Sequence, residues 1–166
     1  MRLYLKRKLF PWNWHFYVTN KNDDCLLLID TKMGRTGREM FIYNKNNTNR
    51  EEYIAHVKEN YKNFLPQYTI EIDNKEICKM KYDGKMFNRD YLFEGLPYHL
   101  KGTLWTHNYS LYDNDQSVMN LKWSRFSFMG RTYRLNIHNK KDVLLCVCVA
   151  AVVAWSEGRA AGWGRA

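Results

Sequence analysis

The sequence predicts an all-β fold of short antiparallel hairpins, with one buried helix at the C-terminal end. Three observations lead there. Most of the chain is a train of short runs with period-2 or β-branched and aromatic character. Aromatic residues make up 16% of the chain, a composition suited to half-buried pleated surfaces. A single long apolar run, residues 143–155, differs from everything before it.

In chain order the expected strands are 2–9, 16–19, 25–29, 39–43, 52–59, 68–72, 76–82, 90–94, 99–103, 108–111, 117–123 and 131–137. The segments between them, among them 20–23, 44–49, Asp73-Asn74, Asp83-Gly84 and 113–115, are rich in Asn, Asp and Gly. These residues accept left-handed backbone and cap turns with their own side chains. Strands at this spacing, with no helix between them, make a sandwich or a barrel of hairpins.

An internal repeat supports the hairpins. Leu5-Lys6 precedes Phe16 and Val18, Val57-Lys58 precedes Tyr68 and Ile70, and Met80-Lys81 precedes Tyr91 and Phe93, each lysine ten residues before the aromatic. Leu121-Lys122 stands in the same relation to Tyr133 and Leu135 with one residue more. An apolar residue beside each lysine implies one inward and one outward side chain. The units recur at unequal intervals, so they are not the repeats of a solenoid.

The run 143–155 holds thirteen apolar residues, short of the roughly 20 that a membrane-spanning helix needs. Val and Cys would also suit a strand. The length, the Ala150-Ala151 pair, Asp142 as a cap and Gly158 as a stop favour a helix over 142–157. A helix apolar on every face must be surrounded, and a barrel of many strands has an interior to fill. One domain over 1–158 and a tail over 159–166 are expected.

The net charge is +9. Lys and Arg outnumber Asp and Glu ten to four in residues 1–50 and nine to four in 101–166, but not in 51–100, where they stand seven to nine. Basic ends point to an anionic partner, or to a solvated positive surface with none. Cys25, Cys78, Cys146 and Cys148 form no C-x-x-C pair and lack zinc-site spacing. They read as reduced core thiols of a cytosolic protein. The first ten residues hold no apolar signal-peptide core.

Order and spacing of several segments resemble the LURP-one-related family, a branch of the tubby-like superfamily related to phospholipid scramblases. The matching residues are Leu3-Tyr4-Leu5-Lys6-Arg7-Lys8-Leu9-Phe10 with Trp12-Asn13-Trp14-His15-Phe16, then Leu65-Pro66-Gln67-Tyr68, then Leu100-Lys101-Gly102-Thr103-Leu104-Trp105-Thr106-His107-Asn108-Tyr109. Lys122-Trp123-Ser124-Arg125-Phe126 leading to Tyr133-Arg134-Leu135, and the terminal apolar run, complete the pattern. The resemblance implies a closed antiparallel barrel of about twelve strands around a central hydrophobic C-terminal helix. Relatives are described as binding phosphoinositides, as membrane-associated, or as having no known role. No tubby-type lipid-binding motif matches positions of this chain, so no binding residue is carried over. Residues 23–38 and 159–166 depart from the family pattern.

No catalytic constellation stands out. His15, His56, His99, His107 and His138 are scattered; His99 and His107 could meet across a hairpin, but a third metal ligand is missing. Asp23-Asp24 and Glu51-Glu52 are sequence neighbours, which point to opposite faces of a strand. Ser110 and Ser117 lack the glycines of a nucleophile elbow. Cys78 sits in an alternating strand as a structural thiol. Neither a metal nor a cofactor is expected. The loop Met33-Gly34-Arg35-Thr36-Gly37-Arg38 reads first as a hairpin turn. Its N–H groups with Arg35 and Arg38 could also cradle a phosphate, although it fits no phosphate-loop fingerprint. Phe10, Trp12 and Trp14 beside Lys6, Arg7 and Lys8 could stack single-stranded nucleic acid, or pack as core.

The leading expectation is a non-enzymatic binding or tethering module for anionic phospholipid, such as phosphoinositide, or for an acidic protein partner. Its binding residues would be Lys6, Lys8, Lys58, Lys81, Lys122 and Arg125, the outward basic positions of the repeat units. The alternatives are a single-stranded nucleic-acid binder and a structural or regulatory protein without ligand. A cytoplasmic location is expected, peripheral at a membrane if the charge is used.

Overall fold

The computed structural model describes residues 1–8, 15–47, 51–85, 87–103, 105–124 and 132–160, with the side chains of Lys8, His15, Arg159 and Ala160 excepted. Twelve strands form one closed antiparallel barrel around a helix. They are β1 (Arg2–Lys8), β2 (His15–Thr19), β3 (Cys25–Met33), β4 (Arg38–Asn44), β5 (Ala55–Lys62), β6 (Leu65–Ile72), β7 (Lys75–Tyr82), β8 (Tyr91–Glu94), β9 (Tyr98–Thr103), β10 (Asn108–Asp113), β11 (Gln116–Ser124) and β12 (Thr132–Ile137). Each pairs with its chain neighbours, and β12 closes onto β1. All twelve expected strands are present. The largest boundary difference is in β3, which runs on to Met33 instead of ending at 29; β5 begins at Ala55 because Glu51 and Glu52 are exposed in a turn, where the Asn47 amide donates to the Glu52 carbonyl at 2.7 Å.

The repeat is a register rule. Leu5 faces Val18, Val57 faces Ile70, Met80 faces Phe93 and Leu121 faces Leu135 across the four hairpins. Directly opposed residues share a face of the sheet, so each pair points into the barrel. The aromatics Phe16, Tyr68, Tyr91 and Tyr133 are buried on the same inner face. In the last unit the register carries the extra residue, Lys122 facing Arg134, and the inward set is unchanged.

A single 3-10 turn, Lys140–Asp142, leads into α1 (Val143–Ala160). Two details differ from expectation. The cap is Asn139, whose side chain accepts from the Lys141 N–H at 3.1 Å; Asp142 instead accepts from the Tyr98 hydroxyl at 3.0 Å. The helix also runs through Gly158 to Ala160. A helical glycine costs only about 1 kcal/mol, and the turn before it is anchored by Glu157. Every residue from Leu145 to Glu157 is buried. Among the described residues no helix is long and apolar enough to cross a membrane.

In such an up-and-down barrel, the connections that leave odd-numbered strands lie at one end and those that leave even-numbered strands at the other. The helix enters at the second end, beside 138–142, and finishes at the first, where Glu157 meets His107 of the β9–β10 turn. These are called below the hairpin end and the entry end.

Removing residues 143–166 strips the inner face of its filling. The expected product is insoluble or molten, keeping a far-ultraviolet strand signal and losing near-ultraviolet dichroism; a soluble truncation with native near-ultraviolet dichroism would contradict the central helix. The buried thiols supply a pH test. Burial, with Glu76 beside it, pushes Cys78 up to about 12, and burial, with Asp142 beside it, pushes Cys146 up to about 12; Cys148 is raised in the same way. The folded barrel therefore holds these protons more tightly than the unfolded chain. Stability is expected to be fully present below the ordinary thiol value of 9.0 and to fall as pH rises towards about 12. At neutral pH a thiol reagent should modify only the half-buried Cys25 until denaturant is added.

Candidate functional site

The expected basic residues do not form one patch. Lys6 and Lys122 lie on β1 and β11, flanking β12, while Lys58 and Lys81 lie on β5 and β7, flanking β6. The two groups occupy opposed walls, six strand positions apart around the barrel. Three of these lysines meet carboxylates: Lys6 pairs with Asp23, Lys58 with Glu71 at 3.2 Å, and Lys81 with Glu94. The bonded lysines hold the Asp23 and Glu94 carboxyls below their ordinary values. Lys122 is exposed beside Arg134 of β12. Arg125 and the Lys8 side chain lie outside the described residues, as do Phe10, Trp12 and Trp14.

The glycines of the 34–37 loop serve the turn. The Gly34 N–H donates to the Gly37 carbonyl at 2.7 Å, and a Cβ at Gly37 would lie 2.6 Å from the Glu59 carbonyl oxygen. Arg35 points into solvent. Arg38 turns inward, its guanidinium 4.6 Å from the Trp155 ring centroid.

What the fold does assemble is a buried polar cluster where α1 ends. Glu157 is 3% exposed. Its Oε1 accepts from the Tyr109 hydroxyl at 2.7 Å and from His107 Nδ1 at 3.0 Å, and its Oε2 accepts from the Tyr133 hydroxyl at 2.5 Å. A carboxylate at a helix C-terminus faces the unfavourable end of the helix dipole, so these donors are what make its burial tolerable. Burial, then the Glu157 charge, raises the Tyr109 hydroxyl well above its ordinary value. Gly102 makes room for that ring: a Cβ there would sit 2.1 Å from Tyr109 Cδ1, its register partner on β10. Glu59 is a second buried carboxylate, accepting from the Arg38 N–H at 3.0 Å and from the Tyr61 and Tyr68 hydroxyls at 3.3 Å. Tyr91 is fully buried, with Ser156 and Arg89 beside its hydroxyl.

Both Glu157 oxygens accept hydrogen bonds, and the arrangement anchors the end of α1 to the wall. His99 and His107 do not meet: His99 is the second residue of β9 and stacks on Tyr112, whereas His107 lies beyond its far end. No group of three or more His, Cys, Asp or Glu among the described residues could hold a metal ion. From the sequence, Tyr109 and Tyr133 are read only as strand residues of the repeat and the family pattern, and Glu157 is assigned no role. The available signal was a lone acid closing an apolar run.

Glu157→Ala would leave the two buried hydroxyls of Tyr109 and Tyr133 without an acceptor, at about 1–3 kcal/mol each, and would release the part-exposed His107; it should lower unfolding stability by roughly 2 kcal/mol or more. Glu157→Gln keeps an acceptor oxygen and should cost about half as much. Gly102→Ala should destabilise by displacing the Tyr109 ring. Urea midpoints report all three, and an unchanged midpoint for Glu157→Ala would remove the anchoring role.

The uncharacterized protein YxjI of Bacillus subtilis (strain 168) is 21% identical over 153 residues, covering 92% of this chain and 91% of that one. No solved structure matches. The LURP-one-related profile matches residues 1–154, which span β1 to the buried part of α1. The closed twelve-strand barrel with its internal helix is therefore that of a protein belonging to the LURP-one-related family.

Proposed function

We propose that this barrel is a non-enzymatic module that binds an anionic surface, and that it does so with its hairpin end. The observation that carries this reading is the unequal charge of the two ends. The connections 33–38, 61–65, 83–90 and 103–108 at the hairpin end hold five Lys/Arg against two Asp. Taken with their flanking strand residues, the connections 19–25, 44–55, 72–75, 94–98, 113–116 and 137–143 at the entry end hold, among the described residues, five Lys/Arg against nine Asp/Glu. Arg35 and Lys62 are exposed and have no carboxylate within ion-pair distance among the described residues. Asp83 is mostly buried and engaged by Lys85 at 3.1 Å.

The barrel is therefore a charge dipole, with its positive pole at the hairpin end. Near an anionic membrane each added basic residue contributes about 1 kcal/mol, an attraction that salt screens. The wall lysines Lys6, Lys58 and Lys81, already engaged by carboxylates, would add to the long-range field more than to contact.

Binding to vesicles containing anionic lipid, compared with binding to a labelled single-stranded oligonucleotide over a salt series, tests this reading. Vesicle binding at low salt is expected, with Arg35→Glu combined with Lys62→Glu weakening it about tenfold or more. Preference for the oligonucleotide, or indifference to anionic vesicles at low salt, would sink it.

A further inference from the structure

We infer that the hairpin end docks end-on onto an anionic lipid bilayer, with Met33, Phe64, Phe87 and Trp105 entering the boundary between headgroups and acyl chains. This rests on the anionic-surface reading above and names the surface as a bilayer. The four side chains are 72%, 99%, 62% and 81% exposed. Each belongs to a different connection, β3–β4, β5–β6, β7–β8 and β9–β10, and all four connections leave the same end of the barrel.

The connections form one continuous arc. The Thr36 hydroxyl lies 3.4 Å from the Glu59 carbonyl, tying the first tip to β5. Leu65 of the second lies 3.6 Å from where a Cβ at Gly84 of the third would stand. Asn88 of the third bridges Thr103 at the base of the fourth. At the entry end the exposed large hydrophobics among the described residues are Met1 and Leu26, the latter one residue inside β3 and only 40% exposed.

Phe64 carries a further mark. It takes a left-handed backbone, φ 65°, in the two-residue turn Asn63-Phe64. Glycine is favoured at such a position, and a bulky residue there is strained. Folding gains nothing from a strained phenyl ring that is 99% exposed, so its use is sought outside the molecule.

Charge and shape select the occupant. Polar Thr36, Asn63, Asn88 and Thr106 stand exposed among the apolar tips. Separate convex tips do not make the continuous, closely packed core that a protein interface requires. A bilayer boundary is fluid and closes around each tip, accepting side chains to a depth of about 5–10 Å. Trp suits that boundary, having an apolar body and a polar N–H. Arg35 and Lys62, in the same arc, would meet anionic headgroups.

The test uses the full chain with phosphatidylcholine vesicles, with and without phosphatidylserine, and with a brominated lipid to quench buried tryptophan. The wild-type protein is expected to bind the anionic vesicles and to show quenching that Trp105→Phe reduces. Phe64→Ala and Trp105→Ala should each weaken partitioning by about tenfold, with native circular dichroism preserved. Wild-type binding that neither substitution changes, without Trp105 quenching, overturns the insertion and leaves the anionic-surface reading standing. Absence of wild-type binding at low salt defeats both. A change in sedimentation of the lipid-free protein on Phe64→Ala would instead make the tips a contact between copies and overturn the bilayer as occupant.

Discussion

A sheet of eight strands that closes on itself can just be filled by its own side chains, and each added strand widens the lumen. Twelve strands therefore enclose more space than inward Leu, Val and Ile can occupy, and close packing leaves no room for a void of that size. The remaining volume is taken by α1. The helix can be apolar on all sides because every side meets a wall. The walls can be uniformly apolar inside because a helix faces them. Neither half is expected to be stable alone, so the barrel and its C-terminal segment are expected to fold as one unit.

The position of the helix along the barrel axis needs a second constraint, since apolar contacts are non-directional. Glu157 supplies it. Its two oxygens are held by Tyr109 of β10, Tyr133 of β12 and His107 of the β9–β10 turn. Tyr109 can reach because Gly102 vacates the space its ring occupies. At the other end Asp142 accepts from Tyr98 of β9. The helix is thus pinned near both ends by directional bonds, with an apolar middle that conforms to its surroundings.

With the interior committed to this packing, contact with other molecules falls to the outer wall and the two ends. On the wall Lys6, Lys58, Lys79 and Lys81 meet carboxylates, and Lys32 and Lys101 lie over aromatic rings. The ends differ because antiparallel alternation sends every odd-to-even connection to one side. Small differences in the composition of separate turns add up there into a basic, aromatic-tipped pole opposite an acidic one.

Much of this was legible in the sequence. Alternation and turn residues located all twelve strands to within a few residues, and the unbroken apolar run gave the helix and its burial. The lysine-to-aromatic spacing anticipated the register of four hairpins, because inward and outward side chains obey a fixed period of two. The candidate surfaces were not legible in this way. Lys6, Lys58, Lys81 and Lys122 are equivalent in the repeat, yet closure of the barrel sets them on opposed walls. Phe64 and Trp105 resemble any other aromatic in a β-rich chain until the turn geometry leaves them in solvent. Glu157 looked like a polar flank until three distant side chains met at its carboxylate. Local periodicity decides which way a side chain points from its own strand. Which strands become neighbours, and which tips share an end, is set by closure of the sheet, a property of the whole chain that no local segment encodes.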